Sequence, residues 1–173
     1  AVGAAAIDSG QVQRRIASGC GPGLFFTGVL ASGTPECGDG SSSFYGTSLG
    51  TGALAAGTGQ HNTVVGSFAL GETSTGGQNT AIGSKALLHS TTASLNVAVG
   101  FAALQNSTSG GNVGVGAVSL ANQTTGEANV AVGQQAMLGN VASSNSVAVG
   151  RRALFGNTGG NNTAVGFEAL LNA

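Results

Sequence analysis

The chain has 173 residues, of which 41% are hydrophobic, 5% aromatic and 6% charged, with a formal net charge of -1. Low hydrophobicity with high net charge would keep a chain disordered, so this one should order; its 32 glycines and its many Ala, Val, Ser, Thr and Asn residues imply a narrow core. Five basic residues leave no footprint for nucleic acid, which is held by several Lys or Arg contacts to phosphate, and no apolar run approaches the roughly 20 residues of a membrane span.

No charged segment leads into an apolar one ahead of Ala1, so the expected form is a mature or trimmed one, any export signal having been removed. Residues 1–7 read AVGAAAI, from Ala1, Val2 and Gly3 to Ile7, and match positions three to nine of a unit that recurs further on (A-V-G-x-x-A-L). The chain is therefore expected to open partway through a coil. A cysteine-containing insertion follows. Cys20 and Cys37 are the sole cysteines; with no nearby His and no CxxC they read as one disulfide rather than a metal or redox site, which points outside the cytoplasm. Residues 1–45 are expected to form an irregular N-terminal assembly segment, and residues 46–173 a repeat domain.

The repeat reads N-x-A-V-G-x-x-A-L followed by a polar turn, and its columns are numbered here from the Asn. Column five is Gly50, Gly66, Gly83, Gly100, Gly116, Gly133, Gly150 and Gly166, in steps of 16 or 17 residues. Helix-pair repeats need about 33 residues per unit, and every unit here carries an internal Gly, so the spacing predicts one solenoid coil of two or three short strands. The fold class is all-β: a parallel β-solenoid, or β-roll, of eight coils, about 38 Å long at the strand spacing of about 4.8 Å.

Column four (Leu49, Val65, Ile82, Val99, Val115, Val132, Val149, Val165) and column nine (Leu54, Leu70, Leu87, Leu104, Leu120, Met137, Leu154, Leu170) are the expected core ladder. Column two alternates onto the same face as column four, while column three (Ser48, Val64, Ala81, Ala98, Gly114, Ala131, Ala148, Ala164) is small and falls on the other. Columns two and four are thus expected inside, and column three against a partner chain. Asn62, Asn79, Asn96, Asn112, Asn129 and Asn162 head six coils and can stack in a hydrogen-bonded ladder. The column of glycines implies a corner at positive φ or a backbone contact without room for Cβ.

The strings NTVVG, NTAIG, NVAVG, NSVAVG and NTAVG resemble the head repeats of trimeric autotransporter adhesins and haemagglutinins. The longer NTAVGxxAL unit is similar to repeats of bacterial and phage tail-fibre-like proteins. So is the segment from Ile7 to Cys37. The resemblance implies a parallel β-roll assembled as a trimer, with small residues at the seam. The heptad stalk and the anchor barrel of the autotransporters have no counterpart in the sequence.

Chemistry-bearing motifs resolve into the repeat. Gly46-Thr47-Ser48-Leu49-Gly50 matches a G-x-S-x-G nucleophile elbow, but Ser48 simply occupies column three, and His61 and His89 fall on turns with no acid partner in the sequence pattern. Gly110-Gly111 and Gly159-Gly160 read as tight turns, since no GxxxxGK[ST] and no helix start accompany them. The acidic residues are scattered singly, without a calcium-binding pattern, and no regular T-x-T array suggests ice binding. Arg14-Arg15 and Arg151-Arg152 read as surface features, and the sequons at Asn106, Asn122 and Asn161 fall in turns. No catalytic residue, metal or cofactor is expected.

The sequence thus points to a non-enzymatic structural subunit of an extracellular fibre or surface appendage. The last coil, ending after column twelve without a polar cap, is expected to stack on the first part-coil of another copy, with Ala1, Val2, Gly3 and Ile7 meeting Asn162, Val165 and Leu170. The expected partner is the chain itself, as trimer, head-to-tail filament or both. The rival reading is a trimeric adhesin head or phage receptor-binding fibre holding a host surface or glycan. A depolymerase would need a cleft of paired carboxylates and aromatics, for which the sequence offers no candidates.

Overall fold

The computed structural model describes residues 25–29, 35–38, 47–54, 58–72 and 74–172. The chain divides into two compact units, Ala1–Ser43 and Phe44–Ala173. In the first, β1 (Phe25–Val29) pairs antiparallel with β2 (Pro35–Gly38), Phe26 standing opposite Cys37, with a register shift between Phe26 and Gly28. Cys20, and with it the expected disulfide to Cys37, lies outside the described residues, as do Ala1, Val2, Gly3 and Ile7.

The second unit is an all-β solenoid. Eight strands of three residues each stack in sequence order into one parallel sheet: β3 (Thr47–Leu49), β4 (Thr63–Val65), β5 (Thr80–Ile82), β6 (Val97–Val99), β7 (Val113–Val115), β8 (Val130–Val132), β9 (Val147–Val149) and β10 (Thr163–Val165). Each residue stands opposite its equivalent one coil away, so that Thr63 meets Thr80 and Thr80 meets Val97.

Each coil supplies one strand, where the spacing predicted two or three. The reason is the backbone beyond the column-five glycine. Columns seven and nine lie in the left-handed region: Ala102 and Leu104 have φ of 53° and 51°, and Gln135 and Met137 have 61° and 53°. Such residues cannot prolong a strand, and each non-glycine one costs roughly 1–2 kcal/mol. Their amides are satisfied by the neighbouring coil instead. Leu104 N–H donates to Ser119 O at 2.9 Å, Leu87 N–H to Ala103 O at 3.0 Å, and Ala102 N–H to Ser84 O at 2.9 Å. A strained coil therefore depends on the coil stacked against it.

Column nine fills the interior. Leu70, Leu87, Leu104, Leu120, Met137 and Leu154 are fully buried, Leu54 is half-buried, and Leu170 on the last coil is 46% exposed. Column four does not join them, and here the expected core ladder is corrected. Leu49, Ile82, Val132, Val149 and Val165 are exposed and Val65, Val99 and Val115 half-buried, whereas column three (Val64, Ala81, Ala98, Gly114, Ala131, Ala148 and Ala164) is the buried face. Internal width decides this. A Cβ on Gly114 would meet Leu104 Cγ at 3.2 Å, so the column-nine side chains span the coil and leave space for little more than a methyl group opposite them. The small-residue face is consequently the inside of the coil and not a seam for another chain.

Candidate assembly surfaces

Interior junctions repeat one set of backbone contacts, to which the coils headed by Asn add a side-chain bond. Between the coils headed by Asn96 and Asn112, Asn96 Oδ1 accepts Asn112 N–H at 2.9 Å, while Asn96 Nδ2 donates to Ser109 O, at the end of its own coil, at 3.0 Å. Val97 N–H donates to Asn112 O, Gly116 N–H to Val99 O, Val118 N–H to Phe101 O and Leu104 N–H to Ser119 O, at 2.8 to 2.9 Å. Asn62, Asn79, Asn112 and Asn129 are buried like Asn96, and the Oδ1 of each accepts the backbone N–H that heads the following coil. The ladder is thus mainly side chain to backbone, where the sequence suggested amide to amide. Its Oδ1 contacts run one way along the solenoid. Ser146 preserves it with a hydroxyl, which accepts Asn162 N–H at 3.1 Å.

The glycine column is a close contact between coils. At Gly100, φ is 136° and an added Cβ would sit 2.6 Å from Gly116 O. Both readings of that column, positive φ and no room for Cβ, hold at the same residue.

The last coil presents the interior set without its complement. Asn162 Nδ2 turns back to the turn that precedes it, to Gly159 O at 2.9 Å and Asn157 Oδ1 at 3.2 Å. Among the described residues, nothing pairs with Asn162 Oδ1, Thr163 N–H, Val165 O, Phe167 O or Leu170 N–H, the counterparts of the five groups just described on the Asn96 coil. Val165, Phe167 and Leu170 are exposed beside them. Of the expected assembly residues, Asn162, Val165 and Leu170 therefore share one open edge. At the opposite end of the sheet, β3 is exposed along its length, including Ser48 and Leu49.

Two features were not singled out in the sequence. The first is the outer face of the sheet, where columns two and four line up on every coil. The second is a brace across the last two coils: Arg152 pairs with Glu168, its guanidinium stands 4.7 Å from the Phe155 ring centre, and that of Arg151 stands 5.7 Å from the Phe167 ring. The pair Arg151-Arg152 is thus used between coils. His89 Nδ1 similarly reaches Glu72 Oε1 of the preceding coil at 2.7 Å.

Among the described residues no group of His, Cys, Asp and Glu is placed to hold a metal ion. No helix there is long and apolar enough to cross a membrane. No protein-family model, curated protein or solved structure matches the chain.

Proposed function

We propose that the chain is a structural, non-enzymatic subunit of an extracellular fibre or surface appendage that polymerises head to tail, with another copy of itself as partner and no cofactor. The observation that carries this reading is the repeated junction between coils, in which each coil offers the next the same backbone donors and acceptors in one register, as between the coils headed by Asn96 and Asn112. A coil of matching register would satisfy all of them at once. The AVGAAAI segment at residues 1–7 of another copy supplies such a coil in part, and a Cys20–Cys37 disulfide would hold the insertion that follows it. The joint is heterologous and non-closing, so it propagates an open filament.

Deleting residues 1–7 tests the reading. Full-length protein should form filaments at neutral pH in negative-stain micrographs, and the deleted form should stay folded but monomeric. Filaments of unchanged length after the deletion would refute the donor role. Discrete particles from the full-length chain would instead favour the adhesin or receptor-binding reading.

A further inference from the structure

The outer face of β3 to β10 is an uncharged and largely apolar strip running the full height of the sheet, with Thr47, Thr63, Thr80 and Thr163 as its polar members. Its side chains come from columns two and four, and none of the residues of these strands is charged. The charged residues of the described coils all sit on turns outside the strands, at Glu72, Lys85, Glu127, Arg151, Arg152 and Glu168. On the coil of β6 the strip is widest: Leu95 and Phe101, both more than half exposed, flank Val97 and Val99. Single exposed apolar residues are ordinary on a protein surface, but eight consecutive coils with the same uncharged outward pair form a continuous patch of the kind that marks an interaction site.

The size of the strip indicates when it can act. Eight strands about 4.8 Å apart, each offering two outward side chains about 7 Å apart, make a band of about 38 by 11 Å, or roughly 400 Å². A stable protein interface takes about 800 Å² from each partner. One subunit therefore offers about half of what lateral association requires, and two stacked subunits reach it.

We infer that the strip is a lateral interface in which filaments of this chain pair along the same face, and that pairing sets in only after subunits have stacked end to end. The inference rests on the head-to-tail reading, because that stacking makes the strip continuous. A second copy is the occupant that fits. A face without charge has no electrostatic partner to select, and its ridges, one per coil, recur at the coil spacing of an identical strip. Polymerisation and lateral association are thereby coupled: each subunit added to one strand enlarges the face it offers to the next. Single subunits stay apart for want of area.

The test compares wild-type protein with a Val115→Lys/Val132→Lys double variant. Both positions point outward on adjacent coils, and a lysine on each would place unpaired charge at the centre of the strip. Electron micrographs should show paired or multi-stranded wild-type filaments and single filaments of the same length from the variant, with the same thermal unfolding midpoint. Unpolymerised fractions of both should sediment as monomers. Single-stranded wild-type filaments, or variant filaments that still pair, would overturn the inference while leaving head-to-tail stacking intact. Discrete wild-type oligomers that the variant loses would overturn the dependence on length. Wild-type protein that forms no filaments would overturn the head-to-tail reading and this one together.

Discussion

Ala131 and Val132 are neighbours on β8 with opposite surroundings: the methyl group is sealed inside the coil, and the larger, more hydrophobic side chain faces out. In an ordinary sheet the bulkier residue would be the better core former. Here the interior is already occupied by column nine, whose Met137 and Leu120 are fully buried, so available volume decides the direction and not hydrophobicity. The interior therefore sets the shape of each coil, while the uncharged outer face carries the larger side chains of column four.

The sharpest way to break this comparison is to place the same charge on either side of it. Ala131→Asp buries a carboxylate among apolar groups with no partner and should cost several kcal/mol, enough to abolish the cooperative unfolding transition. Val132→Asp leaves the carboxylate in water and should change stability by about 0.5 kcal/mol at most. Circular dichroism melts measure both, and equal losses would show that the two faces are wrongly assigned.

A second pair contrasts an interior junction with the open edge. Gly100→Ala drives a Cβ against the Gly116 carbonyl and also strains φ, whereas Gly166, at φ 128°, has nothing nearer among the described residues than Ala169 Cβ at 3.9 Å. Gly166→Ala should cost only the backbone strain, about 1–3 kcal/mol, and Gly100→Ala distinctly more. Matching melting temperatures in the two variants would mean that the carbonyl contact contributes nothing.

The Asn ladder allows a milder comparison. Asn96→Ala leaves the buried Asn112 N–H without its partner, removes one of the two bonds to Ser109 O, and should destabilise the fold by about 1–3 kcal/mol. Asn162→Ala removes bonds on an exposed edge. Its effect on monomer stability, read by urea unfolding, should be well below that of Asn96→Ala, while its effect on filament length should be the larger of the two. The smallest change belongs to the half-exposed His89–Glu72 pair. Glu72→Gln should shift stability by no more than about 0.5 kcal/mol, and a clear drop in the melting temperature would show that the outer turns matter more than the ladders.

The period, the coil boundaries and the parallel register were legible because three columns carry residues whose substitution is costly: Gly100 by close approach, Leu104 by burial and Asn96 by the two bonds of its buried side chain. The facing of the strands was not. A three-residue strand places columns two and four on one side and column three on the other, but the sequence does not state how wide the coil is, and a rule that favours large residues for the interior gave the reversed answer. The second and third strands per coil failed for a related reason. Left-handed φ at Ala102 and Val118 is invisible in side chains that ordinarily avoid it, and it is held by stacking between coils rather than by local preference. Of the assembly site, the final-coil edge could be placed by column counting. The outer strip could not, because its valines had been assigned to the core.

X-ray diffraction from aligned filaments tests most directly whether coils continue in register from one subunit into the next. Continuous stacking should give a strong meridional reflection at about 4.8 Å, unbroken across subunit joints and superposed on an axial repeat of a whole number of coils. A solution of monodisperse particles, or filaments whose axial repeat is not a multiple of that spacing, would contradict it.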